Sequence, residues 1–321
     1  MQNSNQINDI ISNQNWTPTP FYKATSLSDK LNLNLWLKRE DCTPIGSFKI
    51  RGALIAMDSL SDTIPQSGVC VASAGNYGLA ISTEGEMHGI KSTVFVPKNA
   101  TESKVEKIRL RSSRVIEKRN DFDTAKNDAR KYAESNGMLF WEDGVLDEMV
   151  SGSSTIAREM IAVSKDWDYI IVPVGNGSLI KGIATEMKRV LPSTKVLGVV
   201  PSGSPAMYQA LTGLTWDESV SPKTSADGLS VRIPINKITQ EIKPLIDDVF
   251  LIQESKLLPA VKTLIEQEQM AVETSAAICL AGITEINGLH GKNVAAIILS
   301  LIHISEPTRP LYISYAVFCL K

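Results

Sequence analysis

The sequence predicts an α/β protein with two three-layer domains, each built on a mainly parallel, twisted sheet. Short apolar segments alternate with longer amphipathic ones, which is typical of strands alternating with helices. Several of the apolar segments, such as residues 169–174, are apolar on both faces, as expected for strands covered by helices on either side. The length of 321 residues leaves room for about two domains.

The elements alternate along the chain in a regular order. Strands are predicted at residues 35–38, 68–72, 92–96, 114–117, 169–174, 196–200 and 294–299. Helices are predicted at residues 48–58, 78–87, 102–109, 123–135, 179–191, 255–267 and 275–287. We expect residues 57–148 to form a small domain, and residues 1–56 together with 149–298 to form a larger one.

Composition excludes several classes of protein. Lys and Arg total 33 against 35 Asp and Glu, so the net charge of -2 argues against a nucleic-acid partner. No apolar run approaches the roughly 18–20 residues that span a bilayer, and the polar residues 1–16 do not resemble a secretory signal. We therefore expect a cytoplasmic protein with neither a membrane nor a nucleic-acid partner.

Cysteine and histidine offer little material for a metal site. The four Cys are far apart and form no C-x-x-C pair, and the three His form no H-E-x-x-H motif. We expect free thiols in a reducing compartment and no metal.

The first candidate functional residue is Lys49, in the stretch KREDCTPIGSFKIRGA at 38–53. A Pro/Gly turn follows the first strand, and Ser47 is a suitable residue to cap the helix that comes next. Lys49 then falls in the first helical turn, where the helix dipole disfavours its charged form and so favours a nucleophilic amine. On spacing alone, an ordinary surface lysine is the simpler interpretation.

Two glycine-containing turns each join a predicted strand to a predicted helix. The turn at 73–78 (SAGNYG) is suited to bind a carboxylate through backbone N–H groups, and Asn76 is able to donate a hydrogen bond to a phenolate-like oxygen. The turn at 175–179 (GNGSL) has the outline of a phosphate cradle, although it is neither a Walker loop nor G-x-G-x-x-G. Taken alone, each turn is more simply explained as a tight connection between a strand and a helix. Together with the Lys49 amine, they are the parts that a pyridoxal phosphate enzyme acting on an amino acid requires.

With these residues the chain resembles the fold-type II pyridoxal phosphate enzymes, the tryptophan-synthase-beta-like group, over about residues 17–298. Within that group it is most similar to threonine and serine dehydratases. The resemblance implies that pyridoxal 5'-phosphate lies in the cleft between the domains and that Lys49 is the catalytic lysine that bonds it. It implies further cofactor contacts from Asn76, Gly175, Asn176, Gly177, Ser178, Leu179 and Glu273, and substrate contacts from Ser73, Ala74, Gly75, Asn76 and Tyr77.

Departures from the family pattern limit which of the family's activities we expect. Residues 49–53 and the segment SADGLSV at 225–231 are similar to dehydratases, whereas the Gly-Asn-Gly turn is more similar to threonine synthases. Ala74 stands where serine racemases carry a second serine, and Val200 stands where they carry an acidic metal ligand. A racemase and a metal site are therefore disfavoured. Tyr77 replaces the usual histidine of the carboxylate turn.

The C-terminal residues do not continue the family pattern. From Leu299 onward the sequence LSLIHISEPTR resembles a translated sequencing adapter, so residues 299–321 are predicted to be a non-native tail. The alternative is a native strand followed by a tail. Ser300 is the only residue in position to match the family's serine at the pyridine nitrogen, and it lacks the Gly-Gly-Asn that follows that serine, so the predicted site omits it.

The sequence thus predicts a pyridoxal-phosphate-dependent ammonia-lyase. Its expected reaction is elimination of the β-hydroxyl of L-threonine, L-serine or both, to give a 2-oxo acid and ammonia, and we expect a dimer or tetramer of identical chains. One alternative is a threonine-synthase-like or β-replacement enzyme of the same fold. Another is an inactive cofactor- or amino-acid-binding protein, against which the joint presence of Lys49, Asn76 and the glycine turn argues.

Overall fold

A computed structural model describes residues 16–73, 75–98, 100, 102–111, 113–118 and 122–301. The strands are β1 (Phe21–Lys23), β2 (Asn34–Arg39), β3 (Val69–Ala72), β4 (Ser92–Val96), β5 (Arg114–Glu117), β6 (Leu139–Phe140), β7 (Tyr169–Pro173), β8 (Lys195–Pro201), β9 (Asp248–Ile252) and β10 (Asn293–Ile298). The helices are α1 (Thr25–Leu31), α2 (Lys49–Ser59), α3 (Asn76–Met87), α4 (Glu102–Arg109), α5 (Phe122–Ser135), α6 (Asp147–Val163), α7 (Ser178–Val190), α8 (Ala206–Thr212), α9 (Asn236–Ile242), α10 (Glu254–Glu268) and α11 (Thr274–Ile283).

The strands form two separate sheets. The six-stranded sheet has the order β1-β2-β10-β7-β8-β9 and is parallel apart from the antiparallel pair β1–β2. The four-stranded sheet has the order β5-β4-β3-β6 and is parallel throughout. The α/β fold class and the mainly parallel sheets are therefore confirmed.

The seven predicted strands and seven predicted helices are all present, within a few residues at their ends. The sequence did not predict the short strands β1, β6 and β9, nor the helices α1, α6, α8 and α9. These additions include α6, which at 17 residues is the longest helix in the described part of the chain.

Each sheet has its own apolar core, and the start of α2 lies between the two cores. Phe48, directly before α2, belongs to the core of the large sheet. Ile50, Ala53 and Met57 on α2 pack instead with Val69 and other residues of the small sheet. The helix that begins at Lys49 therefore lies where the two cores meet.

Three glycines let α2, α6 and α7 approach one another closely. A Cβ added to Gly152 on α6 would lie 2.5 Å from the Cα of Gly52 on α2. A Cβ added to Gly182 on α7 would lie 2.6 Å from the Cβ of Ser153. Because backbone meets backbone at both crossings, the first turn of α2 is held at a fixed position relative to the first turn of α7.

The first residues of the predicted tail are integrated into the fold. Leu299 and Ser300 are buried, and the Leu299 carbonyl accepts a hydrogen bond of 3.2 Å from the Phe48 N–H. Ser300 forms an antiparallel bridge with Ser47, and the Leu301 N–H donates to the Gly46 carbonyl at 2.9 Å. The rest of the predicted tail, residues 302–321, lies outside the described residues.

Within the described ranges, no helix combines the length and the apolar character needed to cross a membrane. Cys42, Cys70 and Cys279 are free thiols, and Cys319 lies outside the described residues. No group of three or more His, Cys, Asp or Glu side chains is arranged to hold a metal in the same part of the chain.

Candidate active site

A cavity of about 540 Å³ lies between the two sheets, and most of the predicted site residues line it. It is bordered by the turns that follow β3 and β7 and by the start of α2. The predicted residues that line it are Lys49, Ser73, Gly75, Asn76, Tyr77, Gly175, Asn176, Gly177 and Leu179. Ala74 lies outside the described residues.

Lys49 directs its amine into this cavity. Its Nζ lies 2.6 and 2.8 Å from the two carboxylate oxygens of Asp143 and 3.4 Å from Ser178 Oγ. The amine also lies over the Phe48 ring, 5.1 Å from its centre, and over the Tyr77 ring, 5.8 Å from its centre. Lys49 and the glycine turn are thus brought together, although they are 129 residues apart in the chain.

Ser47 bonds to the first turn of α2, as the sequence predicted. The Lys49 N–H donates a long hydrogen bond of 3.5 Å to Ser47 Oγ, and Phe48 between them already has helical dihedral angles. Ser47 is itself held in place by Thr43. The Ser47 N–H donates to Thr43 Oγ1 at 2.7 Å, and the Thr43 hydroxyl donates to the Ser47 carbonyl at 2.8 Å.

A cluster of buried charged side chains holds the first turn of α2 in place. The Arg51 guanidinium donates to Glu40 at 2.7 Å through both Nε and Nη2, and to Glu159 at 2.6 Å through Nη1. Burial alone would lower the pKa of Arg51, but the two carboxylates outweigh it and raise that pKa above its usual range. Lys38 contacts Glu159 as well. These bonds fix Arg51, and with it the direction of Lys49 two residues earlier.

The carboxylate turn places Ser73 and Tyr77 at the cavity. Ser73 Oγ accepts a hydrogen bond of 3.2 Å from the Gly75 N–H, which shapes the turn before α3 begins. The Tyr77 hydroxyl is buried, with no hydrogen-bond partner among the described residues. Burial, together with the nearby charges of Asp143 and Glu142, raises the pKa of Tyr77 well above its usual range.

The glycine turn before α7 has the shape of an anion site. Gly177 adopts φ +101°, and a Cβ there would lie 2.5 Å from Ile242 Cδ1. A Cβ on Gly175 would lie 3.3 Å from the Gly228 carbonyl. Both positions therefore favour glycine, and the turn presents the positive end of the 13-residue helix α7 to the cavity. The residues present fit the phosphate of the cofactor that the sequence implied.

Glu273 lies behind the cavity wall. It does not line the cavity, but a Cβ on the lining residue Gly228 would lie 3.3 Å from its Oε1. Ser300, which the predicted site omitted, donates a hydrogen bond to that same oxygen. The sequence signal for Ser300 was its position two residues after the central strand β10, and the unusual residues that follow obscured it.

Sequence analysis missed Asp143 entirely. It follows β6, a strand of only two residues that no periodicity reveals. Its carboxylate touches Lys49 because β6 is added to the edge of the small sheet beside β3.

Among the described residues, three other basic side chains line the cavity, and each forms an ion pair. Lys104 lies 2.6 Å from Asp227, and Lys126 lies 3.0 Å from Glu142. Arg232 pairs with Asp123. The pairs made by Lys104 and Arg232 join residues of the small-sheet region to the loops between β8 and β9, so they cross the cavity mouth.

The sequence profile of the family described as "Pyridoxal-phosphate dependent enzyme" matches residues 13–300. The fold and site thus define the class, and the chain belongs to this family. Pyridoxal phosphate is accordingly the cofactor that the cavity is built to hold.

Curated relatives with similar sequences are threonine dehydratases. The chain is 32% identical to the biosynthetic L-threonine dehydratase of Haemophilus influenzae, over 87% of this chain and 55% of that protein. It is 33% identical to the threonine dehydratase of Nicotiana attenuata, over 87% of this chain and 47% of that protein. The chain therefore spans about half the length of these relatives.

Solved structures show the same fold. The processed form of threonine deaminase isoform 2 from Solanum lycopersicum has a TM-score of 0.83 and 28% identity, covering 94% of this chain and 91% of that one. Maize serine racemase has a TM-score of 0.87 and 26% identity, covering 99% of this chain and 98% of that one.

Proposed function

We propose that the protein is a pyridoxal-phosphate-dependent ammonia-lyase. It eliminates the β-hydroxyl of L-threonine, L-serine or both and releases a 2-oxo acid and ammonia. The observation that carries the proposal is the meeting of the Lys49 amine with a carboxylate turn and a glycine turn in one cavity. The dehydratase relatives support the choice of reaction within the family.

The residues at the cavity divide into three groups by what they would hold. Lys49 would bond the cofactor, and the N–H groups of residues 175–179 would bind its phosphate. Asn76 would donate to the ring oxygen, and Glu273 with Ser300 would lie toward the ring nitrogen. Ser73–Tyr77, the carboxylate turn, would bind the substrate carboxylate.

The cofactor, when bound, supplies an electron-withdrawing ring that stabilises negative charge at the substrate α-carbon. Once the substrate amine had replaced it on the cofactor, the freed Lys49 Nζ would remove the α-proton, and the fixed first turn of α2 would keep that nitrogen in place. Asp143 accepts hydrogen bonds from Lys49 once it has taken up the proton. The buried walls around Phe48 and Tyr77 exclude water from the amine.

Two related activities are less well supported. A synthase that acts on a phosphorylated amino acid needs a second anion site, but Lys104, Lys126 and Arg232 at the cavity are each engaged by a carboxylate. A racemase is disfavoured by Ala74 and by the apolar, buried Val200 at the end of β8.

The activity is tested by supplying the cofactor-loaded protein with L-threonine and L-serine. We expect 2-oxo acid and ammonia in equal amounts. D-Serine as the main product in chiral chromatography would favour a racemase instead. Turnover confined to O-phosphohomoserine would favour the synthase.

The attachment site is tested separately from turnover. Borohydride reduction of the loaded protein, followed by peptide mapping, should place a pyridoxyl group on Lys49. A label on any other lysine would show that the assignment is wrong.

We also propose the organisation of the whole protein. Residues 1–56 with 149–298 would form the large domain and residues 57–148 the small one, and the chain would assemble as a cytoplasmic dimer or tetramer. Limited proteolysis and sedimentation velocity test the division and the assembly.

A further inference from the structure

Asp143 places a carboxylate directly against the amine that carries the proposed chemistry. Both of its oxygens contact Lys49 Nζ, at 2.6 and 2.8 Å. Its side chain lines the cavity and retains 26% of its exposure, so a ligand in the cavity is able to reach it. The residue lies between β6 and α6, on a loop of six residues that both elements hold in place.

The position of Asp143 brings it close to the substrate side chain. A base approaches to within about 3 Å of the atom whose proton it removes. The β-carbon is one bond of about 1.5 Å further away, so a group on it lies within about 6 Å of Lys49 Nζ. Asp143 touches the same nitrogen, so a substituent that points from the β-carbon toward Asp143 comes within hydrogen-bonding range of its carboxylate.

Among the described residues, Lys49 is the one ion-pair partner of Asp143. Lys49 acts as a base only while its amine is uncharged, and in that state it no longer neutralises Asp143. The neighbouring Glu142 differs, because Lys126 at 3.0 Å and Arg130 at 2.7 Å pair with it. An unbalanced, partly buried carboxylate attracts hydrogen-bond donors and cations and repels a second carboxylate.

We propose that Asp143 selects the substrate by the group on its β-carbon. It accepts a hydrogen bond from a β-hydroxyl, binds a β-ammonium more tightly, and excludes amino acids with a β-carboxylate. The inference rests on the proposed function and defines its substrate class as 2-amino acids whose β-substituent donates a hydrogen bond.

Binding measurements on the cofactor-loaded protein test this selection. The initial absorbance change on mixing gives dissociation constants for L-alanine, L-aspartate and L-2,3-diaminopropionate. We expect the protein to bind L-aspartate at least about tenfold more weakly than L-alanine, and L-2,3-diaminopropionate at least about tenfold more tightly. Asp143→Asn should bring both ratios to within about threefold of one.

Glu241→Gln is the control, because it removes a carboxylate that pairs with Lys181 at 2.6 Å, and neither residue lines the cavity. Both ratios should stay as they are in the unaltered protein. An equal change for all three ligands in Asp143→Asn would overturn the proposal and leave Asp143 as a residue that only positions Lys49. If Asp143→Asn does not fold, ratios of dissociation constants close to one in the unaltered protein would still overturn the proposal.

The outcome separates this inference from the proposed function. Selective binding without release of 2-oxo acid from serine or threonine would leave the selection standing and reject the lyase activity. Release of 2-oxo acid together with ratios of dissociation constants close to one would support the lyase activity and reject the selection by Asp143.

Discussion

Gly177 shows how a single backbone conformation shapes the candidate phosphate site. At φ +101° an L-residue is strained by roughly 1–2 kcal/mol. An added Cβ would also lie 2.5 Å from Ile242 and 3.0 Å from Ile238. The turn must therefore move to accept any side chain, and its N–H groups would move with it.

We predict that Gly177→Ala weakens cofactor binding at least about tenfold, and that Gly177→Asp weakens it further because a carboxylate would face the phosphate. Cofactor titration followed by absorbance measures both effects. Gly213→Ala is the control, since Gly213 shares the left-handed conformation at φ +81° but has no atom within 4 Å of its Cβ position. Unchanged affinity in the Gly177 variants would mean that the turn is only structural.

Most of the residues that the sequence predicted for the site line the cavity, but the sequence did not predict Asp143, and it set Ser300 aside. Lys49, Asn76 and Gly177 each stand at a junction between an apolar segment and a helix, and such junctions are visible in the sequence. Asp143 follows a two-residue strand that carries no periodic signal. The position of Ser300 after the last strand is visible in the sequence, but its pairing with Ser47 and Glu273 arises only in the fold.

Helix α6 is an element that forms through packing, although its local sequence has a low helix propensity. Helix α6 was not predicted, because its middle reads Ser151-Gly152-Ser153-Ser154-Thr155, all residues that favour helices weakly. Tertiary contacts hold it instead. These small residues allow α6 to lie against α2 and α7, and that close approach positions the two turns that carry the site.

We predict that Gly152→Ala lowers the free energy of unfolding by roughly 2–3 kcal/mol, because the new methyl group would overlap the backbone of α2. Chemical denaturation measures this loss. Ser151→Ala, on the same helix, removes no close backbone contact and should change the stability by less than about 0.5 kcal/mol. Equal stability of the two variants would show that the helices separate at little cost.

Helix α3 carries a buried carboxyl group that gives stability a dependence on pH. Glu84 is 4% exposed, its Oε2 has no hydrogen-bond partner among the described residues, and burial raises its pKa to about 7. The unfolded chain loses this proton near pH 4.5, whereas the folded protein keeps it until about pH 7. The contribution is therefore fully present below pH 4.5, and it is lost as pH rises through this range.

We predict that the protein loses on the order of 3 kcal/mol of stability between pH 4.5 and 8 through Glu84, at about 1.4 kcal/mol per pKa unit. Glu84→Gln should remove this part of the pH dependence in thermal unfolding. Because His88 Nδ1 lies 3.6 Å from the carboxylate, the comparison is made with His88→Gln present in both proteins, so that Glu84 alone differs. Parallel stability curves for the two proteins would contradict the prediction.

At the scale of the whole molecule, the separation into two parallel sheets followed from the alternation of strands and helices. The order of strands within each sheet did not follow. The large sheet takes β1 and β2 from the start of the chain and β10 from its end, with Ala295 paired to Trp36 on one side and Ile170 on the other. The pairing of β10 with β2 joins residues more than 250 positions apart, and no window of sequence contains that information.

The three residues that follow β10, an inner strand of the large sheet, contribute to the stability of that sheet. A chain that ends at Ile298 would lose the buried Leu299, its bond to the Phe48 N–H, and the Ser300 contact with Glu273. Burial of a leucine contributes about 1.5–3 kcal/mol and each hydrogen bond about 0.5–1.5 kcal/mol, so the loss should reach roughly 3 kcal/mol.

We predict that the chain ending at Ile298 unfolds about 6–12 °C below the chain ending at Leu301, because 1 kcal/mol shifts the midpoint of a protein this large by about 2–4 °C. It should also bind the cofactor more weakly, since Phe48 directly precedes Lys49. The chain ending at Leu301 should match the 321-residue chain in unfolding temperature and cofactor affinity. If the two shortened chains unfold at the same temperature, residues 299–301 do not stabilise the large sheet.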